Sequence, residues 1–302
     1  MEKIEYAGFR NCYRLSNGEV EVVVTTEIGP RILRYAFRDG ENLLGENLEG
    51  VIHTAFGDWK PWGGHRIWVA PEANPRSYWP DNTPINFEIV NDNKIRLLPP
   101  TETATGIEKE MVVTLAETGT GVTVEHRVTN RNLWEIELAP WAITIMRGGG
   151  TAILPQEPFL SWDEYLLPAR SMALWHYTDL SDPRFALGPR FVRISTDEKA
   201  DTPQKIGILN KQGWAGYAFN HTLFIKRFPF SDAAAYPDYN SNNEVYTRRN
   251  DIELESLAPL ERVQPDESAV HVEFWELQKG VELVTDDREL AARLEPIIQK
   301  TE

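Results

Sequence analysis

The chain has 302 residues, 41% hydrophobic and 25% charged, a composition that builds an ordinary globular core. Its net charge is −15, from 46 acidic against 31 basic residues with no basic run, which excludes nucleic acid and anionic membranes as partners. The single cysteine, Cys12, excludes an intrachain disulfide and thiolate metal clusters.

The opening, M-E-K-I-E-Y, has no apolar run, and no segment approaches the ~20 apolar residues of a membrane span. The cytoplasm is the expected compartment. Residues 11–26 alternate around Asn17-Gly18, a two-residue hairpin turn, with Val20, Val22 and Val24 on one face. A second strand runs from Arg31 to Phe37. Residues 51–82 read as a long irregular stretch, and loops of that length inside a domain are usually functional. Within it, W-K-P-W-G-G-H-R-I-W-V-A-P-E (59–72) gathers tryptophans, His65, Arg66 and Glu72 around a Gly-Gly turn. Glycines there would let backbone approach a ligand, and Trp62 and Trp68 offer stacking faces for a sugar. A Trp-rich plug at one end of a β core is the competing reading.

Hairpins follow at 85–98 and 107–130. His126 points where Val122, Val124 and Val128 point, which favours a hydrogen-bonded core histidine. Trp134 to Met146 reads as one or two apolar strands interrupted by Pro140. Short strands occupy 172–228, then 244–247, 251–257 and 269–277. Asp286-Asp287 can cap one helix with a Leu290, Leu294, Ile297, Ile298 stripe. Many strands and one helix make the class all-β, with one two-sheet sandwich domain spanning 1–302 as the simplest architecture.

Two strands carry candidate chemistry. In D-I-E-L-E-S-L, Asp251, Glu253 and Glu255 share a face, with alternate residues roughly 7 Å apart. On a ligand-facing sheet one of them would hold its proton to higher pH and serve as a general acid or base; on an outer face water would screen them. In the next strand Val270, Val272 and Phe274 are expected to face the core, and His271, Glu273 and Trp275 to face away. No metal motif is present, and no cofactor is expected. Carboxylates in 238–255 leave a hard cation such as Ca²⁺ as a weak alternative. Phosphate-loop and serine-elbow motifs are absent, so hydride transfer, phosphoryl transfer and serine hydrolysis lack support.

The run E-I-G-P-R-I-L-R-Y-A-F-R-D-G-E-N-L-L-G-E-N (27–47) resembles the opening of galactose mutarotase-like proteins, the aldose 1-epimerase superfamily. V-T-V-E-H-R-V-T-N-R-N (122–132) resembles their central strand, and L-E-S-L-A-P-L-E-R-V-Q-P-D-E-S (254–268) the strand with their catalytic glutamate. G-G-H-R-I-W-V-A-P-E looks most like a divergent branch. The resemblance implies a β-supersandwich with a sugar cleft on the concave face of the larger sheet. It implies acid–base ring opening, a glutamate taking the anomeric proton and a histidine protonating the ring oxygen. Glu255 matches the glutamate, with Glu253 as fallback. Arg31, Arg66, Trp68 and Glu72 are substrate-binding candidates. Trp141 stands where the family's acid histidine is expected, and tryptophan cannot titrate there. His65 or His176 would have to supply that proton. The expected ligand is a small carbohydrate. The expected function is an epimerase-like sugar enzyme, with a non-catalytic carbohydrate-binding sandwich or a partner-binding sandwich as alternatives.

Overall fold

The computed structural model describes residues 1–300. Two large antiparallel sheets pack face to face. Across the first, the order is Glu2–Tyr6, Phe9–Ser16, Val20–Thr25, Arg31–Phe37, His65–Ala70, Ile136–Met146, Asp251–Leu257, Asn243–Arg248, Gln204–Ile208 and Met172–Leu174. Across the second it is Asn86–Asn91, Lys94–Leu98, Ile107–Leu115, Val122–Asn130, Ser268–Lys279, Thr222–Arg227, Trp214–Phe219, Thr151–Pro155, Phe191–Ser195 and Phe185–Leu187. The main core lies between them, where alternate residues such as Val22, Val24, Ile67, Val69, Val113 and Val124 meet. The helix, Asp287–Lys300, is capped by Asp286, whose carboxylate accepts from the Arg288 and Glu289 amides at 3.0 and 2.8 Å. Leu290 and Leu294 pack it against Trp214 and Leu223 on the outer side of the second sheet. No helix among the described residues is long and apolar enough to cross a membrane.

Three expectations are corrected here. Pro140 does not interrupt its strand. The strand runs from Ile136 to Met146, and the proline marks where it changes partners, from Glu261–Val263 to Asp251–Leu257. The Pro140 carbonyl still accepts from the Ala258 amide, so only the donor that proline lacks is lost. The 268–279 strand faces the opposite way to its apolar pattern: Val270 and Phe274 are 37% and 48% exposed, while Glu273 and Trp275 are fully buried. Its inner face sets His271 and Glu273, held by hydrogen bonds, among Ala269, Trp275 and Leu277 of the apolar core.

The third correction concerns Gly63-Gly64. His65–Ala70 is a central strand, not a loop, and the two glycines bring its entry against neighbouring backbone rather than a ligand. Both have positive φ; a β-carbon on Gly64 would overlap the Ile32 carbonyl oxygen, and one on Gly63 that of Gly45. Gly64→Ala is therefore expected to cost roughly 3 kcal/mol or more, from left-handed strain plus overlap with backbone. Gly119 also has positive φ but nothing within 4 Å of its missing β-carbon. Gly119→Ala should cost only about 1 kcal/mol. Urea unfolding of the two variants checks the difference, and equal losses would refute the packing argument.

Candidate functional site

The register of five central strands builds a chemical surface on the face of the first sheet that points away from the second. Arg66 lies beside Ile143, Ile143 beside Glu255, Glu255 beside Glu244, and Glu244 beside Gly207. One step along, Glu253 lies beside Tyr246, and Tyr246 beside Lys205. Trp68 and Trp141 are paired in the row behind. Over this face opens a cleft of about 390 Å³, lined by Trp59, Arg66, Trp68, Glu72, Trp141, Lys205 and Glu253 among others. Tyr78, Tyr177 and Tyr246 complete its rim. Burial raises the pKa of all three phenols, Tyr246 to about 12, so they remain hydrogen-bond donors at neutral pH.

Lys205 holds the floor. Its ammonium lies 2.7 Å from Glu244 Oε2 and 3.0 Å from Glu255 Oε2, between the rings of Trp141 and Trp175 at 4.6 and 4.7 Å. Trp141 Nε1–H donates to the same Glu255 oxygen at 2.8 Å. Burial alone would lower the lysine's pKa, but Glu244 and Glu255 hold it well above the ordinary value. Burial pushes the Glu244 carboxyl well up and raises that of Glu255, against the pull of Lys205. Two buried carboxyls thus share one cation, and burial favours the neutral form of each against the pull of Lys205. Beside them Arg66 donates to Glu253 at 3.2 Å and lies over the Trp59 and Trp68 rings.

Several buried polar atoms around this cleft have no partner among the described residues: Arg66 Nε and Nη1, Trp59 Nε1, Glu244 Oε1 and Glu255 Oε1. Leaving such atoms unpaired costs about 1–3 kcal/mol each; those of Arg66 and Trp59 belong to residues that line the cleft, and those of Glu244 and Glu255 lie beneath it, an arrangement suited to a polar ligand.

The sequence candidates separate by face. Arg66, Trp68, Glu72, Trp141 and Glu253 line the cleft, and Glu255 lies just beneath it. Glu72 also accepts from the Tyr78 hydroxyl. Arg31 is wholly buried and structural: it donates to the Pro61 and Gly63 carbonyls at 2.9 and 2.7 Å and pairs with Asp81. Trp62 donates to Asn82 and packs at a tilt against Phe9, away from the cleft lining. His176 is exposed in an adjoining hollow. The structure does not bring His65 to Glu255. One residue from Arg66, it points through the sheet into the core, because side chains alternate along a strand.

There His65 joins a second buried polar system. His126 Nδ1–H donates to the His271 carbonyl at 3.1 Å, so its Nε2 accepts from His65 Nε2–H at 2.7 Å. Thr144 serves His65 Nδ1 at 2.8 Å. Glu273 accepts from Trp275 Nε1, Ser256 Oγ and Lys226 Nζ at 2.9, 2.5 and 2.8 Å, and Ser256 Oγ meets His271 Nε2 at 2.7 Å. The expected core role of His126 is what the structure shows. His65, His126 and Glu273 place ligand atoms near one another, but each is satisfied within this network.

Lys205, Glu244 and Trp59 were not singled out in the sequence. A lysine within the apolar run Q-K-I-G-I was the available signal for the first.

No family model matches the chain, and no curated relative matches it. Solved structures do. A galactose mutarotase-like protein from Lactobacillus casei is 12% identical with a TM-score of 0.58, covering 89% of this chain and 100% of its own. One from Clostridium acetobutylicum is 10% identical with a TM-score of 0.55, covering 92% and 98%. A galactose mutarotase related enzyme from Lactobacillus acidophilus is 9% identical with a TM-score of 0.51, covering 90% and 99%. The fold is thus the galactose mutarotase-like β-sandwich, all-β with a short C-terminal helix.

Proposed function

We propose that the cleft binds a carbohydrate and moves a proton on it, chemistry of the aldose-epimerase type. The observation that carries this reading is the set of unpaired buried donors and acceptors around an aromatic-walled cleft. Donors and acceptors side by side suit hydroxyl groups, which do both, and indole faces suit the C–H face of a sugar ring. The neighbours' names, galactose mutarotase-like and galactose mutarotase related, agree with a sugar.

Glu253 is the carboxylate that faces the cleft and would accept the anomeric hydroxyl proton. Lys205, kept cationic by Glu244 and Glu255, would donate a hydrogen bond to the ring oxygen and stabilise charge developing there. Glu255, two residues along the strand and fully buried, fixes the Lys205 ammonium and the Trp141 indole at once. Neither His65 nor His176 takes part.

The test follows anomer exchange of glucose, galactose, mannose and xylose by polarimetry and NMR. Lys205→Met and Glu253→Gln are each expected to slow the accelerated exchange on the order of 100-fold or more. Acceleration that survives both substitutions would refute these roles. A second reading, binding without turnover, is favoured by the absence of histidine from the cleft lining. It predicts sugar retention on a glycan array with no acceleration of any anomer pair. Failure of both assays would sink the carbohydrate reading.

A further inference from the structure

We propose that this cleft is one of two subsites and that the ligand is a glycoside of at least two units, a reading that rests on the proposed function. A second hollow, of about 400 Å³, is lined by Ala173, Leu174, Trp175, His176, Asp238 and Tyr239. Only a one-turn wall separates it from the cleft. In W-H-Y-T (175–178) the Thr178 amide donates to the Trp175 carbonyl at 2.9 Å, and the Thr178 hydroxyl is tied to the Lys205 carbonyl. Tyr177 lines the cleft, while Trp175 and His176 line the hollow. The Lys205 ammonium lies between Trp141 on the cleft side and Trp175 on the hollow side.

The far wall is independently unusual. Asp238, Tyr239 and Asn240 all have positive φ, at 50°, 58° and 70°. Left-handed backbone costs L-residues roughly 1–2 kcal/mol apiece. The turn is locked by the Ser241 amide on the Pro237 carbonyl at 2.8 Å, the Ser241 hydroxyl on the Asp238 carbonyl at 2.8 Å, and the Tyr236 amide on Asn240 Oδ1 at 2.9 Å. What the turn presents is Tyr239, which is 91% exposed. A ring that far out contributes nothing to packing, so core stability does not account for the strain. The Tyr239 phenol and Trp175 indole line the same hollow as the Asp238 carboxylate and His176 imidazole, and together they offer stacking faces and hydroxyl partners for a second sugar ring. A glycosidic linkage would pass over the 175–178 wall, beside Lys205.

The test measures Kd by titration calorimetry for glucose with maltose and cellobiose, and for galactose with lactose and melibiose. At least one disaccharide is expected to bind ten-fold or more tighter than its monosaccharide. In Tyr239→Ala that ratio should fall to about one, and in Tyr239→Trp it should persist. Tyr239 is exposed, so neither variant is at risk of unfolding; thermal melts of both confirm it. A wild-type ratio near one for every pair, or a ratio unchanged in Tyr239→Ala, overturns the second subsite and leaves the carbohydrate reading intact. No binding by any mono- or disaccharide overturns both.

Discussion

Lys226→Met is expected to destabilise the fold by about 3–5 kcal/mol, the cost of removing one member of a fully buried ion pair. The ammonium lies 2.8 Å from Glu273 and donates to the Leu254 carbonyl at 3.1 Å, with no exposed surface on either charged side chain. Burial alone would raise the Glu273 pKa, but Lys226 together with His126 and His271 brings it below the ordinary carboxylate value. Without the lysine, Glu273 must either keep an uncompensated charge in a dry core or take up a proton. The double variant Lys226→Met, Glu273→Gln removes both charges and is expected to recover most of the loss, because the glutamine carbonyl can still accept from Trp275 while its amide donates to the Ser256 hydroxyl. Urea unfolding of the two single variants and the double variant gives the coupling directly. A loss under about 1 kcal/mol in Lys226→Met would mean that water reaches the pair.

Acidification is expected to unfold the protein steeply, starting below pH 6.5. Burial lowers the pKa of His65 well below its ordinary value, with the nearby His126 and Lys226 adding to it. Burial likewise lowers His126, and takes His271 to about 3. The unfolded chain takes up these protons near pH 6.5, whereas the native state refuses them. Their stabilisation is therefore complete above pH 6.5 and is lost as pH falls towards the folded values. Each contributes up to about 1.4 kcal/mol per pH unit in that window. The Glu244 and Glu255 carboxyls act with the opposite sign: their raised pKa values favour the native state at low pH and lose that effect as pH rises through them. With three lowered histidines in the window, stability is expected to rise from pH 5 to pH 7. Unfolding free energies at pH 7, 6 and 5 measure it. A flat profile would refute the neutral-histidine core, and His126→Asn should make the wild-type slope shallower.

The fold was legible in the sequence because it rests on local alternation: the 107–130 hairpin, the 251–257 strand and the capped terminal helix stand where pattern and turn chemistry put them. Half of the site was legible for the same reason. Asp251, Glu253 and Glu255 share a face whatever the partner strands do, and the structure shows that face to be the cleft. Lys205 and Glu244 were not, since their meaning depends on a register that joins residues 39 to 50 positions apart and sets two glutamates directly opposite each other. His65 misled because Gly63-Gly64 resembles a ligand loop, and nothing nearby in the sequence reveals that Ile32 and Gly45 backbone fill the space. The 268–279 strand misled because buried partners such as Lys226 and Ser256 let His271 and Glu273 sit on its inner face, which left Val270 and Phe274 on the outer one.

The 65–70 strand serves two chemistries back to back: Arg66 and Trp68 look into the cleft, and His65 holds up the ionic core behind it. Inserting or deleting a single residue within His65–Ala70 would exchange the two sets, exporting a histidine to the cleft and importing a guanidinium to the core. The length of that segment is therefore frozen. New specificity can arise there by substitution at the even-numbered positions, and a change at an odd-numbered one would be felt first as a folding defect, whatever assay was used to select it.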